Sequence, residues 1–339
     1  MNLTVRTVEL HLAVPFAISR AIHTTKMVVL VELREGDRVS HGEAVPDAFF
    51  GETPESVGQD VRRALELLSE DPDDLALVTM RLSERFPHGG AARCAIDILA
   101  HDRAAQTAGL PLRAFLGLKD GDPPPTSFTI GIAEPEVMAE RAAKAGEQGF
   151  SVLKVKLGHG DDVAVLAAIR ERFFGTIRVD PNAAWSADEA PRRIERIARF
   201  GLEFVEQPIA PADIDGLKRV RAASDLPIVA DEAAVSAADI PRLAAACDGV
   251  NVKLQKCGGV GPAREMIAAA HEHGLKVMLG CRAAETSVAI AAAAHLAPAV
   301  EWADLDGNLL ITDDPYRAVA VERGRFRFNE RAGLGALPA

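Results

Sequence analysis

Seven positions in the chain recur at intervals of 22 to 27 residues, and each closes a short apolar run: Lys154, Asp180, Glu206, Asp231, Lys253, Gly280 and Asp304. One strand plus one returning helix needs about this many residues, so the period predicts repeated βα units closing into a (β/α) barrel. Eight strands are expected, at 127–132, 150–156, 176–180, 202–206, 227–231, 248–253, 275–280 and 300–304. The recurring residues fall at the carboxyl ends of these strands, the end where a barrel builds its active site. A polar residue there reads as chemical rather than structural. An open doubly wound sheet is the competing architecture, but the glycine-rich first turn it needs is missing.

The second strand, Val152-Leu153-Lys154-Val155-Lys156-Leu157, carries two lysines two residues apart. Strand side chains alternate faces, so both ammonium groups point the same way, and burial of like charges demands counter-charges or a reaction that uses them. Counter-charges are at hand. Asp180, Glu206 and Asp231 end the third, fourth and fifth strands, and three carboxylates on adjacent strand tops repel one another unless a cation sits between them. An all-oxygen donor set favours Mg²⁺, with Mn²⁺ as the alternative, and Asn182 and Glu232 stand beside the set as supporting partners. Lys253 ends the sixth strand, four places round a ring of eight from the strand of Lys154 and Lys156. A carbon acid held between the two strands can lose a proton to one lysine and regain one from the other on its opposite face, which inverts a stereocentre.

Before the barrel the pattern differs. Residues 2–12, 26–34 and 38–45 alternate as antiparallel strands, and Glu55–Ser69, Leu75–Arg85 and Ala91–Ala108 read as amphipathic helices, an α+β unit. Gly121-Asp122-Pro123-Pro124-Pro125 excludes helix and marks a boundary. The expected organisation is a capping domain over 1–122, a barrel over 123–315 and a final segment, 316–339, that returns to the cap. A net charge of −11 with no basic run argues against nucleic acid or an anionic membrane as partner. The amino terminus lacks the order of a signal peptide, and the apolar stretch from Val288 to Val300 is too short for a bilayer and reads as a packed helix. Four scattered cysteines suit reduced thiols in the cytoplasm. Gly258-Gly259-Val260-Gly261 reads as a tight turn into a helix rather than a phosphate cradle.

The motifs Gly42-Glu43-Ala44, Leu153-Lys154-Val155-Lys156, Val205-Glu206-Gln207-Pro208, Ala230-Asp231-Glu232, Val252-Lys253-Leu254-Gln255-Lys256-Cys257-Gly258-Gly259 and Ala303-Asp304-Leu305-Asp306-Gly307 resemble those of the enolase superfamily, muconate-lactonizing subgroup, and of its dipeptide epimerases in particular. The resemblance implies a modified TIM barrel with a capping domain, Asp180, Glu206 and Asp231 as metal ligands, Lys156 and Lys253 as the acid/base pair, and Lys154 as an electrostatic neighbour of Lys156 and of the substrate carboxylate. It implies as substrate a dipeptide, of the L-Ala-D/L-Glu kind, inverted at the carbon next to its free carboxylate, and leaves a homo-oligomer open. Lid loops are expected at 16–25 and 46–53, connections too long for tight hairpins, with Arg20 set against an acidic second residue. Asp304 and Asp306 are expected to hold the dipeptide ammonium, with Asn182 also on the substrate side. Pro181 and Ala233 stand where the family often has alanine and serine. The stretch Gly280–Thr286 holds one residue more than the usual pattern, so no role is carried over to Glu285, and Arg282, in a loop at the barrel mouth, is a candidate for reshaping specificity. The rivals are an N-acylamino acid racemase, o-succinylbenzoate synthase or muconate cycloisomerase on the same scaffold, a Schiff-base aldolase barrel, and a non-catalytic metal-binding relative.

Overall fold

The computed structural model describes residues 2–68 and 74–339, so Met1 and the last residue of the first expected helix, Ser69, lie outside the described residues. Its centre is an eight-stranded parallel sheet built from β4 (Phe128–Ile130), β5 (Val152–Lys156), β6 (Thr176–Asp180), β7 (Leu202–Glu206), β8 (Ile228–Ala230), β9 (Gly249–Lys253), β10 (Lys276–Gly280) and β11 (Trp302–Asp304), in sequential order. Thr126 bridges to Ala303 in parallel, and the Ser127 amide donates to the Ala303 carbonyl at 3.1 Å, which brings the last strand back against the first. The ring closes.

Alternation along these strands sorts the barrel interior into layers. On β7, Phe204 and Glu206 share a face, as do Arg178 and Asp180 on β6. The lower layer is apolar: Phe204 packs against Val229, Met278 and Trp302, with the Phe204 and Trp302 rings 4.8 Å apart. Arg178 lies over Phe204 and donates to Glu203 at 2.7 Å and to the Ala303 carbonyl at 2.9 Å. Above this plug the same strands present Lys154, Lys156, Asp180, Glu206 and Lys253. Leu153, Val155 and Leu157 face outward into the main core under the surrounding helices, so β5 is buried on both faces. The apolar stretch expected to pack as a helix does so over Ser287–Ala294, and every residue of it is buried. Among the described residues no helix is long and apolar enough to cross a membrane.

The cap pairs β1 (Asn2–Ile18), β2 (Ala21–Glu35) and β3 (Arg38–Ala44) in antiparallel order, with α1 (Pro54–Leu68), α2 (Leu75–Arg85) and α3 (Ala91–Thr107) behind. Helix α3 is the joint between cap and barrel. A side chain at Gly42 would meet the Ala95 carbonyl at 2.0 Å, so only glycine lets β3 approach the helix this closely. On the other side Asp97 accepts from the Gly261 amide at 3.1 Å, and a Cβ at Gly259 (φ 121°) would strike the Asp97 carboxylate. The glycine run thus serves a turn against α3, as expected, and its amide is committed to a protein carboxylate. Asp102, also on α3, accepts from the amides of His41 and Leu334, which ties the final segment to the cap.

One expectation is corrected. Residues 16–25 do not form a long loop: β1 and β2 continue past the expected ends, pairing Phe16 with His23 and Ile18 with Ala21 around a tight turn at Ser19-Arg20. A register shift between His11 and Phe16 breaks the alternation, and the bulged residues turn to the barrel instead. Leu12 bridges Ile311, and the Ala13 amide donates to the Leu310 carbonyl at 2.8 Å. The element over the barrel mouth is therefore a hairpin pinned at its base.

Candidate active site

The carboxyl ends of the strands bring Asp180, Glu206 and Asp231 together, with one oxygen of each within 4.8 Å of the others and all three buried. Local backbone holds them there. Asn182, in the left-handed region at φ 49°, donates its amide to Asp180 Oδ1 at 2.8 Å and its side-chain nitrogen to Asp180 Oδ2 at 3.2 Å. Asn251 on β9 donates to Glu206 Oε1 at 2.7 Å, and Gln207 Oε1 receives the amides of Asp231 and Ala233. Asn251 and Gln207 were not singled out from the sequence. Asn251 lies in an apolar strand where only its inward register marks it, whereas Gln207 sits inside a quoted motif.

Four ammonium groups surround the carboxylates. Lys154 Nζ stands 2.6 Å from Glu206, 2.9 Å from Asp304 and 3.2 Å from Asp180. Lys156 reaches Asp180 at 2.6 Å, and Lys253 reaches Asp231 at 2.7 Å. Lys256, in the turn after β9 and given no role from the sequence, donates to Asp231 Oδ1 at 2.7 Å and to the Asn251 carbonyl at 2.9 Å. Burial drives the Lys154 pKa down, but Asp304, Glu206 and Asp180 outweigh it and the net shift is upward. Burial, then Asp180, pushes Glu206 up to about 8, because a further negative charge in the cluster is resisted even with lysines present. Asp231, with Lys253 and Lys256 against it, is held well below the usual carboxylate range despite burial.

This donor set fits a hard divalent cation. It offers three mutually close carboxylate oxygens, and beside them the buried Asn182 Oδ1 and Glu232 Oε2 have no hydrogen-bond donor among the described residues. Lys156 and Lys253 rise from β5 and β9, four places apart in the ring, on either side of the triad.

A cavity of about 420 Å³ opens above the triad. Lys154, Lys156, Lys253, Asn182, Asp304 and Asp306 form its floor and walls. Asp304 is engaged with Lys154 and with Ser127 Oγ at 2.5 Å, whereas Asp306 accepts from the Thr129 amide at 2.6 Å and has a distant thiol beside it. Burial, then Asp304, pushes Asp306 up to about 7. The hairpin forms the roof: Ser19 and Arg20 donate to the Asn182 carbonyl, Arg20 pairs with Glu232 at 2.7 Å, and its guanidinium lies 4.6 Å over the Phe49 ring. The second expected lid segment, 46–53, carries a short 3-10 helix, Ala48–Phe50, and is fastened to the barrel by Arg282, which bonds the Val45 carbonyl and pairs with Glu52 at 3.2 Å and Asp47 at 3.5 Å. Arg282 is thus a strut for the lid. Glu285 accepts the Arg282 amide at 2.7 Å.

Deeper in the same interface, Glu43 of β3 receives the Thr286 amide (2.8 Å), the Thr286 hydroxyl (2.5 Å) and the Ala289 amide (3.1 Å). Burial, then the charge of Glu285, pushes its pKa up to about 8 from 4.5. The folded protein holds this proton more tightly than the unfolded chain, so the stability Glu43 contributes is full below about pH 4.5 and is lost as pH rises towards 8. The melting temperature of the metal-free protein is expected to fall over that window, and Glu43→Gln to flatten the fall. A scan at several pH values checks this, and an identical slope in the variant would contradict it.

A parallel barrel whose mouth carries three metal-type carboxylates between two opposed lysines, under a cap that supplies the lid, defines a class of enzyme that works on carbon acids. The chain belongs to the mandelate racemase / muconate lactonizing enzyme family: that family's N-terminal domain model matches residues 1–117, and the enolase C-terminal domain-like model matches residues 137–338. It is 36% identical to the L-Ala-D/L-Glu epimerase of Bacteroides thetaiotaomicron, over 99% of this chain and 88% of that protein. It is 37% identical to the L-Lys-D/L-Arg epimerase of Methylococcus capsulatus, over 99% and 98% of the two chains. A dipeptide epimerase from Enterococcus faecalis, solved with Mg and the dipeptide L-Leu-L-Tyr, superposes with a TM-score of 0.93 at 33% identity, covering 98% of each chain.

Proposed function

We propose that this protein is a Mg²⁺-dependent dipeptide epimerase that inverts the α-carbon of the second residue by transferring a proton between Lys156 and Lys253. The observation that carries the reading is the placement of those lysines on opposite strands across the carboxylate triad, so that a carbon held between them meets an ammonium or amine on each face. Its relatives named for dipeptide epimerisation support the substrate class.

Asp180, Glu206 and Asp231 would hold the metal ion, with Asn182 and Asn251 fixing the carboxylates that bind it. Bound there, a divalent cation supplies positive charge against the negative charge that develops on the substrate carboxylate when its neighbouring carbon is deprotonated. Lys156 removes the α-proton from one face and Lys253 delivers one to the other, and the reverse reaction exchanges their roles. Lys154, bonded to Glu206 and Asp304, orients both acids and adds fixed positive charge beside Lys156. The hairpin and the 46–53 segment exclude water from above. The division into a cap over 1–122, a barrel over 123–315 and a returning segment over 316–339 completes the proposal: cap and barrel residues line one cavity, and the returning segment is tied to the cap through the Leu334 amide and Asp102.

At the far wall, Asp306 lines the cavity and is proposed to receive the ammonium of the first residue, together with Asp304. Arg20 stands on the side of the triad and faces the second residue. An acidic side chain there, as in an L-Ala-D/L-Glu substrate, would share its guanidinium with Glu232. Replacing Asp306 with asparagine is expected to cost about 2–5 kcal/mol of transition-state binding for a dipeptide, the range for stripping a charge of its buried partner. Acetylating the dipeptide amine should cost the wild type much and Asp306→Asn little. The kcat/KM values of both enzymes on both substrates decide this. Faster turnover of N-acyl amino acids or succinylbenzoate precursors than of any dipeptide would replace the epimerase reading with a racemase, synthase or cycloisomerase on the same scaffold.

A further inference from the structure

Six cationic side chains besides His23 line or touch the cavity, and five of them are spoken for. Lys154, Lys156 and Lys253 pair with the triad, Arg20 with Glu232, and Arg282 with Glu52 and Asp47. Lys26 is different. It lies on β2 opposite Leu10, is half-buried and lines the cavity, yet among the described residues no carboxylate comes within ion-pair distance of it and it makes no hydrogen bond. Burial pushes its pKa down, and Asp47, Glu52 and Glu285 act on it only from further away. Asp47 has no free commitment to offer, because its carboxylate faces Arg282 and accepts the Phe49 amide at 3.0 Å.

A half-buried ammonium without a partner is a place for an anion that the protein does not itself contain. The position within the cavity assigns that anion to one end of the substrate. Arg20 feels Glu232, Asp231 and Asp180, the metal side, whereas Lys26 feels Asp47, Arg282, Glu52 and Glu285, at the rim between the lid and the end of β10. The second residue of a dipeptide is fixed by its carboxylate at the triad, so its first residue extends toward β11, where Asp306 stands, and the neighbouring β10 rim. We infer that Lys26 is a specificity-determining residue that pairs with a carboxylate on the side chain of the first residue, so that this enzyme favours dipeptides beginning with glutamate or aspartate. The inference rests on the epimerase reading above and narrows it, since a substrate that begins with alanine would leave Lys26 unpaired.

The test is to incubate the wild type with Mg²⁺ in deuterium oxide and L-Glu-L-Leu, L-Ala-L-Leu or L-Lys-L-Leu, and to read deuterium gain at the second residue. The expected order of kcat/KM is Glu, then Ala, then Lys, with glutamate ahead of lysine by about tenfold or more. Lys26→Met should collapse the Glu-to-Lys ratio, Lys26→Arg should keep it, and Lys26→Glu should reverse it. Equal rates for the three substrates in the wild type, or a ratio untouched by Lys26→Met, overturn the assignment to Lys26 and leave the epimerase standing. Exchange in none of the dipeptides overturns both.

Discussion

Lys156→Ala and Lys253→Ala are each expected to stop epimerisation of both stereoisomers of a dipeptide, by about a thousandfold or more, while each variant still exchanges the α-proton of one stereoisomer with solvent. The geometry requires this pairing of loss and retention. Each lysine approaches the carbon from its own side of the ring, so deleting one removes the proton relay on a single face and leaves abstraction from the other intact. Lysine is the right group for the task only because its surroundings can tune it. In the metal-free protein Lys253 is held protonated by Asp231, with burial opposing that effect. Any cation that takes over the charge of the carboxylates relaxes that hold. Exchange measured on the L,L and L,D isomers separately distinguishes the two faces, and equal exchange of both isomers in both variants would refute the two-face assignment.

The second large effect concerns the carboxylate triad. Chelation is expected to abolish turnover, and Mg²⁺ or Mn²⁺ to restore it. Glu206→Gln should lower kcat/KM by at least about a hundredfold, because a ligand is lost from the centre that offsets the developing charge. The same substitution should do little harm to the metal-free fold. Burial and Asp180 already push Glu206 up to about 8, so near neutral pH the folded protein resists the charge that glutamine would remove. The accompanying loss is one ion pair to Lys154, which keeps Asp304 and Asp180 within 3.2 Å. Melting curves with and without Mg²⁺ check the point: a large destabilisation of the metal-free variant would show that Glu206 serves the fold rather than a cation.

Much of the site was legible because a buried strand is a poor place for a charge. Lys154, Asp180, Glu206, Asp231 and Lys253 each stand at or near the carboxyl end of a short strand rich in apolar residues, and their regular spacing converts isolated oddities into one ring of residues facing one point. The supporting residues were harder to read. Asn251 and Lys256 act through register and a helical turn, and nothing in their local sequence says which neighbour they meet until β9 is placed between β8 and β10. The lid was misread for a physical reason as well. Alternation along β1 breaks between His11 and Phe16, and the turn Ser19-Arg20 lacks the glycine or asparagine that usually announces a two-residue hairpin, so a continuous hairpin looked like a loop. Lys26 fell inside a correctly expected strand. Its significance lies in the partner it lacks, which only three-dimensional neighbours reveal.

On the proposed mechanism this barrel moves a proton from one face of a dipeptide α-carbon to the other. The most direct measurement starts from L,L and L,D dipeptides separately, with enzyme and Mg²⁺ in deuterium oxide, and follows stereochemistry and mass together. Both are expected to reach the same mixture of isomers, with one deuteron on the second residue's α-carbon of each inverted molecule. Inversion without deuterium, or no inversion of any dipeptide while an N-acyl amino acid turns over, would contradict it.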